Sequence, residues 1–453
     1  MHPNSSHNPF LFIVPSIRGF GGVFRSGAAP GGGLMPPKYS AAELAEWSGG
    51  VWSGDPPETF DAVVHDSRAV SPGCLFAAVA GERFDGHDFV AATFEAGAGA
   101  ALVERPVDGP HLLVPRVRQA LLDLAKAYRA TFDIPIVGVT GSVGKTTVKE
   151  LTANLLATLG PTMRNPGNWN NDLGLPLSVL AMPRHTAYGV FEIGMNHPGE
   201  LAPLCAVLQP THAIVTEIGP AHIEHFESIE AIAEEKATLV RSLPRSGVQV
   251  LDLDSAWFDF LAERCPGHGL VIDSDSDPLP GPLSVPGRHM HRNALKALAI
   301  ARHLGVSDST AATVLRDFVP PGMRWARRAA RGVSFINDAY NANLMSMHAA
   351  LQGFFEEACR GRKWVVLGGM GELGHTEDQA HAEIGRAAAA GPWTVLTVGT
   401  LGRKFGAERH CATTLEASEI LRAEAKPGDL ILIKASRSEK LEEVIESFSA
   451  EGV

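Results

Sequence analysis

Residues 134–150 read IPIVGVTGSVGKTTVKE, and this stretch decides how the rest of the chain is interpreted. The run 134–139 is apolar and mostly β-branched, which indicates a buried strand. The glycines that follow predict a tight turn, because glycine adopts backbone conformations that other residues avoid. Four apolar residues then recur at helical spacing: Val148, Leu151, Leu155 and Leu159. The stretch therefore predicts a strand, a loop and a helix in succession.

The loop in this stretch, TGSVGKTT at Thr140–Thr147, has the pattern of a shortened phosphate-binding loop, called the P-loop below. In such loops the backbone N–H groups and the helix N-terminus surround an anion. Lys145 would reach the β- and γ-phosphates, and the Thr146 hydroxyl would ligate Mg²⁺. A glycine-rich turn that only connects two packed elements is the alternative, but the strand-loop-helix context and the adjacent Lys-Thr pair favour nucleotide binding. The predicted ATP contacts of the loop are Thr140, Gly141, Ser142, Val143, Gly144, Lys145, Thr146 and Thr147.

Length and composition exclude several classes of protein. The 453 residues exceed what one hydrophobic core usually supports, so the chain should form about three domains. The net charge of -11 argues against a general nucleic-acid binder, and no apolar run is long enough to span a membrane. The five cysteines form no C-x-x-C pair and are odd in number, which favours a reducing, cytoplasmic compartment. We expect no integral membrane segment and a monomer.

The pattern of elements predicts an α/β protein of three domains. Residues 1–34 are rich in Gly, Pro and Ser, and we interpret them as a disordered extension or a start-site artefact. A small α/β N-terminal domain should occupy 35–132, and a central P-loop ATP-binding domain with a mostly parallel sheet should occupy 133–322. Strands and helices then alternate in 323–453, which predicts a Rossmann-like, doubly wound C-terminal domain. Pro320-Pro321-Gly322 is a plausible hinge before it.

Polar residues follow two predicted strands of the central domain. Glu192 ends the strand 187–194, and His222 follows the strand 211–219. In an open parallel sheet, ligands bind outside the carboxyl ends of the strands, so both side chains could complete a Mg²⁺ shell begun by Thr146. A lone His is more often structural. The Asn-rich segment NPGNWNNDLGLPL (165–177) could recognise a polar ligand or form a simple loop.

The motifs in their order resemble the Mur ligase family from about Met35 to the C-terminus. The resemblance is carried by nine stretches: TGSVGKTT (140–147), GNWNNDLGLP (167–176), EIGMN (192–196), AHIEHF (221–226), Glu235-Lys236, GRHMHRN (287–293), NDAYNAN (337–343), GELG (371–374) and KASRS (434–438). The Asn-rich segments are similar to those of the D-alanyl-D-alanine-adding branch. The Asp-Asn-Pro-Arg motif typical of the diaminopimelate-adding branch is absent from the sequence.

The resemblance implies an ATP-dependent ligase with Mg²⁺ as cofactor. Its substrates would be UDP-N-acetylmuramoyl-tripeptide and D-alanyl-D-alanine, joined through an acyl phosphate for peptidoglycan synthesis. It implies catalytic roles for Lys145, His222 and Lys236, the last as a carbamate, and metal ligation by Thr146, Glu192, His222 and Lys236. Further ATP contacts would be Asn293, Arg324 and Asp338. The implied substrate contacts are Ser67, Arg68, Asn168, Asn170, Asn171, Tyr340, Asn341, Asn343, Lys434, Ser436 and Arg437.

Some positions leave alternatives open. By spacing alone, Lys236 belongs with Glu234 and Glu235 to a solvated charged helix face, whereas the resemblance implies a carbamate. Asp66-Ser67-Arg68 could be a turn with a surface ion pair or an anchor for a phosphorylated ligand. The sequence departs from the family pattern at four positions: Met290, Ala339, Gly369 and Ala435. Alternative functions are another Mur-type amino-acid or dipeptide ligase, and a P-loop regulatory ATPase.

Overall fold

A computed structural model describes residues 38–81 and 83–450 of the chain. The predicted extension 1–34 lies outside these residues. The N-terminal part contains a five-stranded mixed sheet in the order β2-β7-β6-β5-β4, and β1 pairs with β3 beside it. Its strands are β1 Tyr39–Ser40, β2 Val51–Ser53, β3 Thr59–Phe60, β4 Val63–Val64, β5 Leu75–Ala77, β6 Ala100–Val103 and β7 His111–Leu113. Its helices are α1 Ala41–Ser48, α2 Val90–Glu95 and α3 Val117–Ala130.

The central part is built on a six-stranded sheet in the order β13-β12-β11-β8-β10-β9, in which every pair of strands is parallel. Its strands are β8 Ile136–Thr140, β9 Thr162–Arg164, β10 Tyr188–Glu192, β11 His212–Val215, β12 Val248–Asp252 and β13 His268–Ile272. Its helices are α4 Lys145–Leu156, α5 Gly174–Leu180, α6 Leu201–Leu208, α7 Ile229–Arg241, α8 Phe258–Ala262, α9 Arg288–His303 and α10 Asp308–Asp317. The strand β8 lies between β10 and β11, so the P-loop that follows it opens into the crevice where ligands bind such sheets.

The C-terminal part contains a second six-stranded sheet, in the order β14-β15-β19-β16-β17-β18. Only the edge pair β14-β15 is antiparallel among its pairings. Its strands are β14 Ala326–Ala330, β15 Val333–Asn337, β16 Lys363–Leu367, β17 Thr394–Val398, β18 His410–Cys411 and β19 Leu430–Lys434. Its helices are α11 Leu344–Glu356, α12 Glu377–Ala389, α13 Gly399–Gly402, α14 Thr414–Glu424 and α15 Glu443–Ser449. The predicted three-domain α/β fold is confirmed, while the exact limits of the domains stay predictions.

Side chains of the N-terminal part donate hydrogen bonds to backbone carbonyls of the central part. Tyr128 on α3 donates its hydroxyl to the carbonyl of Met182 at 2.6 Å, and Arg129 donates Nε to the carbonyl of Leu208 at 2.9 Å. One hydrophobic cluster continues from the N-terminal part into the central part, and a second joins the central and C-terminal parts. No helix in the described ranges is both long and apolar enough to cross a membrane.

Candidate active site

The P-loop is shaped by glycine and by bonds to the loop after β11. Gly141 has φ +148°, and a Cβ built on it would lie 2.0 Å from Thr216 Oγ1, so a larger residue does not fit there. Ser142 donates its backbone N–H to the Glu217 carbonyl at 2.7 Å and its hydroxyl to the Gly219 carbonyl at 2.8 Å. These contacts hold the loop in place at the start of α4, whose N-terminus can stabilise an anion.

Lys145 is the first residue of α4, and its Nζ donates to the Gly141 carbonyl at 2.8 Å. Burial lowers the pKa of the Lys145 ammonium; the carboxylates of Glu192 and Glu372 oppose this shift, and the charge of Arg324 adds to it. These four charged side chains therefore lie in one electrostatic neighbourhood. Glu372 and Arg324 come from the C-terminal part of the chain, so the neighbourhood spans two domains.

Glu192 ends β10 and is buried, with 2% of its surface exposed. Its Oε2 accepts from the Thr146 hydroxyl at 2.7 Å, and its Oε1 accepts from Asn170 Nδ2 at 2.7 Å. The Thr146 hydroxyl in turn accepts from Arg324 Nη2 at 3.0 Å. The structure thus brings together a P-loop threonine, a carboxylate, an amide of the Asn-rich segment and an arginine of the C-terminal part.

Lys236 lies on the inner face of α7, with only 2% of its surface exposed. The interpretation of this lysine as part of a solvated charged face is therefore wrong, and only Glu234 has that role, in ion pairs with Arg241 and Arg264. Burial lowers the pKa of Lys236 well below its usual value, and the nearby charge of Lys145 lowers it further. The charge of Glu235 on the same helix opposes these two effects.

His222 has a left-handed backbone, with φ +61°, and so does its contact residue Glu372, with φ +60°. Their Nδ1 and Oε2 atoms are 2.6 Å apart, and this contact lowers the pKa of the Glu372 carboxyl. His222 Nδ1 has no partner with hydrogen-bond geometry among the described residues, so this is a close polar contact rather than a regular hydrogen bond. It joins the central part to the loop after β16.

The C-terminal part has its own network at the end of β19. Lys434 Nζ lies 2.7 Å from Asp338 Oδ2 and donates to the Asn341 carbonyl at 3.1 Å. The guanidinium of Arg324 lies over the Tyr340 ring, 3.6 Å from its centroid. Burial lowers the pKa of His289 on α9, and the charges of Asp338 and Lys434 act on it in opposite directions. This network therefore faces the start of α9.

The structure separates the remaining predicted residues into two groups. Asn293 lies against the P-loop, because a Cβ on Gly144 would lie 2.7 Å from its Oδ1, and the Ser436 hydroxyl accepts from the Gly371 N–H at 2.8 Å. The second group has partners close by in the sequence. Among the asparagines, Asn171 accepts from the Gly174 N–H, Asn343 caps α11, and the Asn168 carbonyl accepts from the Asn170 N–H. The two arginines form ion pairs, Arg68 with Asp66 and Arg437 with Glu442. Ser67 is next to Arg68 in the one-turn helix Ser67–Ala69, which belongs to the N-terminal part of the chain.

Thr146 and Glu192, two of the four predicted metal ligands, offer oxygen atoms to a divalent cation. Among residues 38–81 and 83–450, no group of three or more His, Cys, Asp or Glu side chains could hold a metal ion. The predicted set does not require such a group, since it combines the hydroxyl of Thr146 and the carboxylate of Glu192 with His222 and a modified Lys236. A hydroxyl and carboxylate 2.7 Å apart offer the oxygen ligands that Mg²⁺ prefers, so these two residues fit.

Two residues beside Glu192 were not predicted from the sequence. Asn165 and Lys149 are both fully buried. Asn165 is the first residue of the Asn-rich segment, whose later members were assigned to the substrate. Lys149 lies on α4, and no role was predicted for it. The sequence carries no clear signal for its burial, because Lys149 does not fall on the apolar spacing of Val148, Leu151 and Leu155.

Comparison with known families places this arrangement. The Mur ligase family, catalytic domain, matches residues 59–129, the Mur ligase middle domain matches residues 139–274, and the Mur ligase, glutamate ligase domain, matches residues 323–437. The chain belongs to the Mur ligase family, and the predicted membership is confirmed.

Two relatives of the same description match most of this chain. A UDP-N-acetylmuramoyl-tripeptide–D-alanyl-D-alanine ligase of Escherichia coli (strain K12) is 35% identical over 430 residues, covering 87% of this chain and 95% of the relative. The enzyme of the same description from Bacillus subtilis (strain 168) is 35% identical over 449 residues, covering 90% and 98%. A crystal structure of MurF from Acinetobacter baumannii aligns with a TM-score of 0.85 at 28% identity, covering 92% of this chain and 100% of that one. MurF ligase from Thermotoga maritima, in complex with ADP, aligns with a TM-score of 0.77 at 27% identity, covering 86% and 97%.

Proposed function

We propose that this protein is an ATP-dependent ligase that joins D-alanyl-D-alanine to UDP-N-acetylmuramoyl-tripeptide in peptidoglycan precursor synthesis. The observation that carries the proposal is the match along nearly the whole chain to ligases of that description. The P-loop beside β8 and its contact with Arg324 support it, because ligation needs ATP and two further substrates held between domains.

The reaction has two chemical steps. A carboxylate oxygen of the tripeptide attacks the γ-phosphorus of ATP, the bond to the β,γ-bridging oxygen breaks, and ADP leaves with an acyl phosphate formed. The amine of D-alanyl-D-alanine then attacks the acyl carbon, the C–O bond to phosphate breaks, and the amine loses a proton as the amide forms. A free carboxylate is a poor acyl donor, so the phosphate leaving group makes the second step accessible.

Residues of the chain stabilise the charge that these steps move. Lys145 and the backbone N–H groups at the start of α4 surround the β- and γ-phosphates, and Arg324 approaches the same place from the C-terminal part. Fixed positive charge in a site that excludes water stabilises the developing negative charge without reorganisation. Asn293 against Gly144 and Asp338 near His289 contact the rest of the nucleotide.

Mg²⁺ is the proposed cofactor, and it would neutralise phosphate charge when bound. Thr146, Glu192, His222 and a carbamylated Lys236 would hold it. The Lys236 amine is buried and its pKa is lowered, so a neutral amine that can add to CO₂ is available. The resulting carbamate carries the negative charge that suits a hard cation.

The two other substrates are assigned to the outer domains. Ser67 and Arg68 hold the UDP-sugar end, and Asn168, Asn170 and Asn171 lie between that domain and the phosphates. The C-terminal contacts to substrate are Tyr340, Asn341, Asn343, Lys434, Ser436 and Arg437. All five cysteines are free thiols in the structure, which supports a cytoplasmic enzyme, and we propose that it acts as a monomer.

Phosphate release measured with purified protein and ATP tests the proposal. We expect release only when UDP-N-acetylmuramoyl-tripeptide and D-alanyl-D-alanine are both present, together with a product whose mass equals the two joined substrates less one water. Replacing the dipeptide by D-alanine or L-alanyl-L-alanine distinguishes a ligase with a different amine substrate. Phosphate release that needs neither substrate would instead indicate a regulatory ATPase.

A further inference from the structure

The Glu192 side chain is bonded to the predicted residues Thr146 and Asn170, but its backbone is held by residues that were not predicted. The backbone of Glu192 has no strand partner on the side of β9, because β9 pairs with β10 only as far as Val190 opposite Arg164. The sheet therefore fixes Glu192 on one side only, through its pairing with Val139 on β8, and another contact must fix it on the side of β9.

Asn165, the residue directly after β9, supplies that contact. Its Oδ1 accepts from the Glu192 N–H at 2.9 Å, and its Nδ2 donates to the Glu192 carbonyl at 2.9 Å. The side-chain amide of Asn165 thus makes the two hydrogen bonds that a paired strand would make to the Glu192 backbone, at a position where β9 no longer pairs with β10. Nδ2 also donates to the Trp169 carbonyl at 2.7 Å, which ties the Asn-rich segment to the same place. Asn165 is fully buried, and both polar atoms of its side chain are hydrogen-bonded within the protein.

Lys149 connects this clamp to the P-loop helix. Its Nζ donates to the Asn165 carbonyl at 2.6 Å and to the Gly167 carbonyl at 3.3 Å, and it lies 3.0 Å from Glu150 Oε1. Lys149 is fully buried and lies one turn after Thr146 on α4. A buried ammonium is costly unless it is paired, so these contacts favour one arrangement of helix and segment.

The contacts form a closed circuit. Thr146 bonds to the Glu192 side chain, the Glu192 backbone bonds to Asn165, and the Asn165 carbonyl bonds to Lys149, which returns to the helix of Thr146. We propose that Asn165 and Lys149 are positioning residues that set the place of the Glu192 carboxylate relative to the Thr146 hydroxyl. They act on the Mg²⁺-nucleotide site without touching the nucleotide. The proposal rests on the proposed function only in taking Mg²⁺-nucleotide as the ligand.

The test is the affinity for ADP, measured by calorimetry with Mg²⁺ and with EDTA. The full-length variants are Asn165→Leu and Lys149→Met, which keep side-chain volume and remove the hydrogen bonds. Displacing a group that orients a metal ligand typically costs 10-fold to 100-fold in metal affinity. We expect the gain in ADP affinity caused by Mg²⁺ to fall by about that factor, while the affinity in EDTA changes by less than about two-fold.

Asn154→Leu is the matched control, because Asn154 is a half-buried residue of the same helix whose side chain accepts from Arg164 and not from a residue of the circuit. It should keep the full effect of Mg²⁺. If Asn165→Leu does not fold, Asn165→Asp replaces it, since it keeps the acceptor for the Glu192 N–H and loses both donated bonds.

An unchanged effect of Mg²⁺ in folded variants would overturn the proposal, and so would equal losses of affinity with Mg²⁺ and with EDTA, which indicate a general structural role. Wild-type protein that binds ADP equally with and without Mg²⁺ would also overturn it. A failed ligase assay with normal Mg²⁺-dependent ADP binding would count against the proposed function alone.

Discussion

Lys236→Ala is the change that most directly tests the chemistry of the site. Lys236 is buried on α7, where an ammonium group is costly, so the substitution removes a group whose position needs a functional reason. The substitution removes three buried methylene groups at about 0.8 kcal/mol each, which should lower the free energy of unfolding by about 2 kcal/mol. Removal of a buried amine offsets part of this, so the variant should fold. Activity should fall about 10³-fold, the scale for a lost electrostatic contact in a preorganised site.

The assay combines turnover with detection of the modification. Active protein prepared in isotopically labelled bicarbonate should show a carbamate carbon by NMR, and the signal should be missing from Lys236→Ala. Because burial lowers the pKa of Lys236, its neutral amine forms at lower pH than that of an exposed lysine, so the signal should persist to lower pH than the carbamate of an exposed lysine. A short carboxylate added at high concentration should restore part of the rate of Lys236→Ala.

Arg241→Ala is the control, since Arg241 is a half-exposed basic residue on the same helix. It should turn over at the wild-type rate. Normal turnover by Lys236→Ala, or an unmodified amine in fully active wild-type protein, would refute the carbamate assignment.

Three other predictions follow from the site and the core. Lys145→Ala should lower kcat by about 10³-fold in steady-state assays, while the exposed Lys126→Ala should not; loss of less than a few-fold would remove the P-loop from the mechanism. Gly141→Ala should lower the free energy of unfolding, measured in urea, by several times the roughly 1 kcal/mol expected for Gly199→Ala. Both glycines have positive φ, but only Gly141 has no space for a Cβ atom. Equal losses for the two variants would contradict the steric argument. Burial lowers the pKa of His212 to about 4, so the unfolded chain takes up a proton near pH 6.5 and the native protein only near pH 4. Stability should therefore fall by up to about 3 kcal/mol between those pH values, and His212→Gln should show a shallower loss in urea unfolding at pH 7 and pH 4.5.

The sequence predicted best where one element has one clear pattern. The strand, loop and helix at 134–159 were correct in order, although α4 ends at Leu156 and Leu159 is exposed. The spacing of apolar residues continued by chance past the end of the helix, before Gly160 and Pro161. The edge strand β14 was missed because ARRAA has three mostly exposed central residues and so shows no apolar alternation.

The site was harder to predict where function depends on burial. Lys236 is adjacent to two glutamates, and charge pattern alone assigns all three to the surface, but α7 turns Lys236 inward. The pairing of Glu372 with His222 joins residues 150 positions apart on different domains, which no local pattern can indicate. In the sequence, nothing distinguishes Asn165 from the neighbouring asparagines. In the structure its amide bonds to the Glu192 backbone, and that contact depends on where β9 ends.

The hydrogen bonds from Tyr128 and Arg129 to the carbonyls of Met182 and Leu208 have a consequence for how the protein unfolds. The N-terminal sheet is separate from the central sheet in its strand pairing, yet α3 closes one face of the central core as well as its own. A protease cut near Asp133 would therefore not release two stable fragments, because each would expose apolar surface that the other covers. The two parts should melt in a single calorimetric transition and protect their amide protons from exchange as one unit.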